Sequence, residues 1–448
     1  MEGLIMAGQL LLGLTILVGL HEFGHFIAAR MFGIRVNKFY IFFDFLFPMP
    51  NVLNFALWKK KKGDTEYGLG WFPMGGYVDI EGMIDETKDA SKLATEPQPY
   101  EFRSKPAWQR LIVMLGGVIV NIILGVLIFW LVTFKNGENY LSMAEVNKQG
   151  IVAYPTAQEI GLKTGDKILN ISGKEIKYFS DLIDSDVILG ENVYFTVERE
   201  GKTLEIPLPN DLYEKLSDEN SEGFIGALQT FSVGEVTEDS PAKEAGIQAE
   251  DRIITFNNQP ITYYHQFTDL ALANANKEVK LGILRSGDTL TVNPKLTEEG
   301  KLGFMAAPDL AYEHVELGLG ESFGVGAGRA FSVITDNIKG FKKIFSGQVS
   351  AGKALAGPVG IARKFYGGVW DWGRFWLITG MLSMALAFMN LLPIPALDGG
   401  HALILLFEMI SGRKPSEKFM ERTQQIGMII LLSLLAWIMF NDTVQALF

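Results

Sequence analysis

The sequence predicts an α-helical polytopic membrane protein, with four transmembrane helices and re-entrant or broken segments, that carries two tandem α+β domains in one loop. Three observations predict it. Four stretches contain no Asp, Glu, Lys or Arg: Leu4 to Leu20, Leu111 to Phe134, Phe375 to Leu397 and Gln424 to Asn441. Each can cross, or nearly cross, a hydrocarbon layer of about 30 Å. Only 20% of the 448 residues are charged and mean hydropathy is +0.17, so apolar residues are concentrated in blocks. The long segment between the second and third blocks repeats itself at a spacing of 85 residues. At roughly 150 residues per domain, a chain of this length holds about three structural units.

Composition also excludes chemistries. Without cysteine there is no disulfide framework, iron–sulfur cluster or thiolate nucleophile, and any metal must be held by His and carboxylate. A net charge of −11, from 40 basic and 51 acidic residues, gives no reason to expect nucleic-acid binding.

The first span, within residues 1–32, has only Glu2 before it, whereas Arg30, Arg35, Lys38 and Lys59 to Lys62 follow it. A cleaved signal peptide fits poorly, because Met1 to Gly3 has no basic residue and no small-x-small site closes the run. Arg103, Lys105 and Arg110 precede the charge-free run of the second span, residues 108–134. Arg413, Lys414, Lys418 and Arg422 lie between the third span (374–411) and the fourth, which is part of 412–448. Positive residues beside spans stay in the cytoplasm, so both termini lie outside, 33–107 and 411–423 inside, and 135–373 outside. Lys339, Lys342 and Lys343 oppose this count, but they sit in a long segment, where the rule has little force.

Within that outer segment, Ala157, Gly161, Asp166, Ile168 and Gly173 are answered by Ala242, Gly246, Asp251, Ile253 and Asn258. Each copy reads as a short helix (Pro155 to Ile160; Pro241 to Ala245), a glycine stop, a turn and an alternating strand (Lys167 to Ile171; Arg252 to Phe256). Two domains follow, 135–220 and 221–308, with a linker carrying amphipathic helices over 309–373. Their pattern resembles the PDZ domains of bacterial membrane and periplasmic proteases, which take extended peptides by strand addition. Spacers or filters with empty grooves are the alternative.

The first apolar run leads into His21-Glu22-Phe23-Gly24-His25, an HExxH motif. On a helix, positions i and i+4 share a face, so both imidazoles can hold one Zn²⁺ while Glu22 reaches a water that the metal acidifies to a pKa of about 7. Hydrogen-bonded helix histidines are the plain alternative. Three ionisable residues ending an apolar span are costly unless paired or liganded. The strongest third ligand is Asp398, closing the third run within Asn390-Leu-Leu-Pro-Ile-Pro-Ala-Leu-Asp398-Gly-Gly-His401. Pro393 and Pro395 break the helix at membrane depth, where irregular backbone is tolerated only beside a cavity. The first and third spans both run inwards, which brings the motifs to similar depth.

HEFGH, N-x-x-P-x-P-x-L-D-G-G-H and the tandem repeat between them together resemble the site-2 protease family of intramembrane zinc metalloproteases, in its bacterial tandem-PDZ group. The resemblance covers nearly the whole chain in the right order. It implies His21, His25 and Asp398 as zinc ligands, Glu22 as general base and Asn390 as a substrate-positioning or oxyanion-assisting residue. Tyr67 to Val78 resembles the family's membrane-re-entrant β-loop, which implies Gly75, Gly76 and Tyr77 as substrate contacts, together with Pro393 and Pro395. An ordinary hairpin is the alternative. The family's G-P-x-x-N reads Gly117-Val-Ile-Val-Asn121 here, without its proline, and Ile41 to Leu57, with Pro48 and Pro50, is longer and more apolar than the family pattern. Phe331 to Phe345 reads as an amphipathic gate on the outer surface, and Trp370, Trp372 and Trp376 as an interfacial belt. By resemblance, substrates are single-span membrane proteins already trimmed by another protease, such as anti-sigma factors, or signal-peptide remnants. The PDZ pair then acts as a size filter, and the protein sits in a bacterial inner membrane. A non-catalytic PDZ-bearing scaffold and a zinc-linked transporter are the competing classes. The presence of Glu22 disfavours the first, and the lack of an inverted repeat the second.

Overall fold

Residues Glu2–Met31 form one continuous helix, α1, so the first apolar run and the HExxH motif share a single rod. Helix α2 (Ala107–Asn136) begins after Pro106, whose missing N–H costs nothing at a helix start. It stops at Gly137, which adopts φ 62° and returns its N–H to the Thr133 carbonyl. The computed structural model describes residues 2–46, 49, 52–73, 75–83, 96–216, 223–237, 240–350, 357–366 and 368–447. The chain divides into two units, 1–137 with 316–448, and 138–315.

The first unit adds α3 (Leu319–Phe345), α4 (Trp372–Leu391), α5 (Asp398–Ser411) and α6 (Glu417–Leu447). Among the described residues, four helices are long and apolar enough to cross a membrane, over Gly3–Met31, Ala107–Asn136, Trp372–Leu391 and Arg422–Phe440. Small residues let α1 and α2 meet backbone to backbone, as helices in lipid prefer. A Cβ added at Gly24 would lie 2.2 Å from the Gly116 carbonyl oxygen, and one at Gly116 2.5 Å from that of Gly24. With Val118 in place of the family's proline, α2 runs unbroken. Phe331 to Phe345, expected as an outer gate, is the second half of α3. Its Ala330 end packs with Phe129 of α2 and Met384 of α4, and Phe341 meets Phe388 of α4, so this stretch is part of the bundle.

A four-stranded sheet rests on the C-terminal part of α1: β1 (Val36–Ile41), β2 (Ala56–Lys62), β3 (Thr65–Gly70) and β4 (Tyr77–Ile80). Its order is β2-β3-β1-β4, with β1 parallel to β3 and antiparallel to β4. Since β1 separates β3 from β4, the stretch from Tyr67 to Val78 is not an ordinary hairpin, and β4 lies at a sheet edge. Ile34, Val36 and Ile80 pack with Ala28 and Ala29 of α1, Val113 and Met114 of α2 and Leu405 of α5, so one core joins sheet and helices. Along Ile41 to Leu57, Phe45 is buried while Leu53, Phe55 and Leu57 are exposed. Pro48 and Pro50 lie outside the described residues.

The second unit holds two sheet domains of matching order. In the first, strands run 202–207, 194–199, 167–171, 174–175; in the second, 288–292, 281–285, 252–256, 259–260. The same ion pair closes each turn: the Arg199 guanidinium donates to Asp166 at 2.7 Å, and the Arg285 guanidinium to Asp251 at 2.7 Å. The copies differ after the strand pair, where a helix, Tyr264–Ala273, replaces two short turns of the first copy. Glu138–Leu141 pairs antiparallel with Tyr312–Val315, so the chain enters and leaves this unit through neighbouring strands. Expected boundaries shift accordingly, and the first domain also runs past residue 220, because Ile225–Ala227 pairs with Ile151–Ala153 and Phe224 enters the first core. Residues 135–136 belong to α2, and 309–315 to this unit rather than to the linker, because that pairing recruits them.

Candidate active site

HExxH falls near the C-terminal end of α1 at the Gly24–Gly116 crossing, which presses both imidazoles against α2. A Cβ at Gly117 would lie 2.5 Å from His21 Cε1 and 2.6 Å from His25 Nε2, so only glycine leaves the rings their places. Their centroids are 4.9 Å apart, at 80° to one another.

Asp398 arrives from the other end of the chain. The third apolar run was expected to carry it at its inner end, beyond a helix break at Pro393 and Pro395. The structure breaks that run after Leu391 and starts a new helix at Asp398. Ala396 in the intervening turn adopts φ 81°, a conformation a residue with a Cβ rarely takes and one that clusters at functional sites. Gly399 and Gly400 let α5 begin hard against this turn: added Cβ atoms would sit 2.3 Å from the Leu392 oxygen and 2.4 Å from the Ile394 oxygen.

Three donor atoms thus form a nearly equilateral triangle. His21 Nε2 and His25 Nε2 are 3.3 Å apart, and each is 3.3 Å from Asp398 Oδ2. A tetrahedron with that edge has its centre about 2.0 Å from each corner, the length of a zinc–nitrogen or zinc–carboxylate bond. Asp398 Oδ2 is buried and has no hydrogen-bond partner, and His25 Nδ1 donates to the Val113 carbonyl at 2.8 Å, which leaves its Nε2 a lone pair. Lone pairs aimed at one point repel unless a cation lies between them, so the residues present fit a metal ion.

A cavity of about 360 Å³ opens beside the triangle, lined by Glu22, Asn390, Gly75, Gly76 and Tyr77 as well as the three donors. Glu22 lies next to His21 on α1, and a Cβ at Gly76 would come within 3.1 Å of its Cγ, so the chain entering β4 lies directly on the carboxylate stem. Asn390, in the last turn of α4, brings Nδ2 to 3.3 Å from His21 Nε2. The Tyr77 hydroxyl donates to Asp44 at 2.9 Å, and its ring stacks on Tyr40 at 5.3 Å. Pro393 and Pro395, expected to touch substrate, do not line this cavity. Pro395 is used in packing instead: a Cβ at Gly427 of α6 would meet its carbonyl oxygen at 1.9 Å.

In the sequence Asn121 stands out only as the last residue of the Gly117–Asn121 pattern, with no role assigned to it. This fully buried residue of α2 places Nδ2 at 3.1 Å from His21 Nδ1, and its backbone carbonyl accepts the Ser383 hydroxyl of α4 at 2.8 Å. The available signal was a carboxamide in a charge-free span, four residues after Gly117.

The model of peptidase family M50 matches residues 9–434. The regulator of sigma-E protease RseP of Escherichia coli is 28% identical over 460 residues, covering 96% of this chain and 97% of that one. Its namesake from Salmonella typhimurium is 27% identical over 459 residues, covering 96% and 97%. The regulator of sigma E protease of Haemophilus influenzae is 27% identical over 462 residues, covering 97% and 98%. A match that takes in both motif-bearing helices and everything between them makes this chain a member of peptidase family M50, and a zinc metalloprotease.

Proposed function

We propose that the protein is an intramembrane zinc endopeptidase of a bacterial inner membrane that cuts the transmembrane segment of single-span proteins. The observation that carries this is the 3.3 Å donor triangle at the wall of a cavity that also holds Glu22. In this reading His21, His25 and Asp398 hold the zinc, which when bound supplies the Lewis acid that makes water nucleophilic at neutral pH. Glu22 takes the proton from the attacking water and returns it to the departing amide nitrogen. The Asn390 carboxamide donates to the scissile carbonyl as negative charge develops there. A helical substrate hides its carbonyls in its own hydrogen bonds, so the cut segment must be extended first. β4 supports that step, because it is an edge strand beside the cavity, where an unwound segment can add as a further strand.

The relatives named as regulators of sigma-E proteases support anti-sigma factors, trimmed beforehand by another protease, as the substrate class, with signal-peptide remnants as a second source. The charge count supports a topology with both termini and the 138–315 unit outside and the site near the cytoplasmic side. The two domains of that unit, read as PDZ-like, restrict the size of ectodomain that a substrate can carry.

Glu22→Gln tests the proposal in membranes carrying a tagged single-span substrate. Cleavage is expected to fall about 10²- to 10⁴-fold with zinc retained. Undiminished cleavage would exclude Glu22 as the base.

A further inference from the structure

We infer that Asn121 is a positioning residue that selects the metal-binding tautomer of His21 by presenting its carboxamide oxygen to His21 Nδ1. The inference rests on the reading of His21, His25 and Asp398 as zinc ligands. A neutral imidazole carries one N–H, and the nitrogen bearing it cannot also give a lone pair to a metal. His25 resolves this through the backbone: the Val113 carbonyl, which can only accept, lies 2.8 Å from Nδ1 and holds the proton there, leaving Nε2 for the ion. His21 has no such carbonyl on its Nδ1. Its neighbour there is the Asn121 side chain, with Nδ2 at 3.1 Å.

The two orientations of that carboxamide have opposite consequences. If the NH₂ group faces Nδ1, it donates, the His21 proton moves to Nε2, and that proton points at His25 Nε2 and Asp398 Oδ2, each 3.3 Å away. The triangle is then blocked. A half-turn of the carboxamide, which exchanges atoms of nearly equal size, puts Oδ1 against Nδ1; the proton is held there and the Nε2 lone pair is free. A second observation favours the half-turn. Asn121 is fully buried, and its Oδ1, in the orientation with Nδ2 at His21, has no hydrogen-bond partner. A buried carboxamide oxygen without a donor is costly; the half-turn gives it Nδ1–H of His21 and moves the NH₂ group to the place Oδ1 held.

The surroundings hold Asn121 where this selection requires it. Gly24 and Gly116 fix the approach of α1 to α2, and the Ser383 hydroxyl ties the Asn121 backbone carbonyl to α4. Asn121 therefore sits where three helices meet, and its side chain has a fixed reach to one imidazole.

The test is zinc affinity of the full-length protein in lipid nanodiscs, measured by competition with a chelator of known affinity, alongside thermal unfolding of the metal-free forms. Asn121→Leu is expected to weaken zinc binding about 10- to 100-fold, the usual cost of losing a partner of a metal-ligating histidine, with the metal-free unfolding temperature little changed. Asn121→Asp presents only acceptors, so it is expected to bind zinc at least as tightly as the native protein. Two results would overturn the inference: native affinity in Asn121→Leu, or an Asn121→Asp protein weakened as Asn121→Leu is, since that would mean the native carboxamide donates. Asn121→Asp decides the matter even where Asn121→Leu does not fold. An Asp398→Ala control with native zinc affinity would instead bring down the ligand assignment itself.

Discussion

Gly117 shows how little room the site leaves. The Cβ of Gly117→Ala would come within 2.6 Å of both imidazoles, and neither ring can retreat while Gly24 lies on Gly116. That variant is expected to lose stoichiometric zinc and at least 10²-fold in cleavage, read by metal analysis of the purified protein and a cleavage assay. Full zinc content would show that the rings can shift. The pair His21 and His25 was legible in the sequence because an i, i+4 relation is local. Asp398 was legible because a carboxylate that closes an apolar run between prolines demands a reason. Asn121 was not, since its meaning depends on a contact with a residue 100 positions away, made by a helix crossing that only glycines permit. That Pro393 and Pro395 lie off the cavity wall was hidden for a related reason. Sequence shows that they break a helix, but not that α6 covers one of them.

At the scale of elements, β4 matters most, because it carries the cavity's backbone wall. It is held by the Tyr77–Asp44 hydrogen bond and the stacking of Tyr77 on Tyr40. Removing one such hydrogen bond costs about 1 kcal/mol. Tyr77→Phe and Asp44→Ala are therefore each expected to raise KM about fivefold with a smaller effect on kcat, and the double variant to be no worse than either single one. Additive losses would mean that the two side chains act separately. The helices and their breaks were readable from charge-free runs, prolines and glycines. The strand order was not: β1 comes to lie between β3 and β4 through a parallel pairing that no local pattern encodes. The boundary near residue 309 failed in the same way, since pairing with Glu138–Leu141 decides where Tyr312–Val315 belongs.

Across the whole molecule, the two units rely on different physics. The 138–315 unit has two apolar cores and a repeated buried ion pair, and the 85-residue spacing makes this duplication visible in the sequence itself. In its second copy, burial works against the charge of Asp251, but the Arg285 guanidinium and the Gln248 N–H outweigh it and hold the carboxyl below its usual range. A lowered folded-state pKa contributes stability that is complete above the unfolded value of about 3.9 and is lost as pH falls through the folded value. Amide exchange of the 252–285 strands is accordingly expected to be flat from neutral pH to about 5, once corrected for intrinsic rates, and to accelerate below about 4. Asp251→Asn should accelerate it at neutral pH and matter less in acid; equal protection of both proteins at neutral pH would contradict the assignment. The first unit depends instead on helices that meet through glycine, and its purpose in this account is to bring the start of α5 to the HExxH turn of α1. Zinc content per chain of the full-length protein and of Asp398→Ala, both purified in lipid and reloaded with zinc, tests that claim most directly. A stoichiometric ion is expected in the first and its loss from a still-folded second; an Asp398→Ala protein that keeps its zinc at native affinity would refute Asp398 as a ligand.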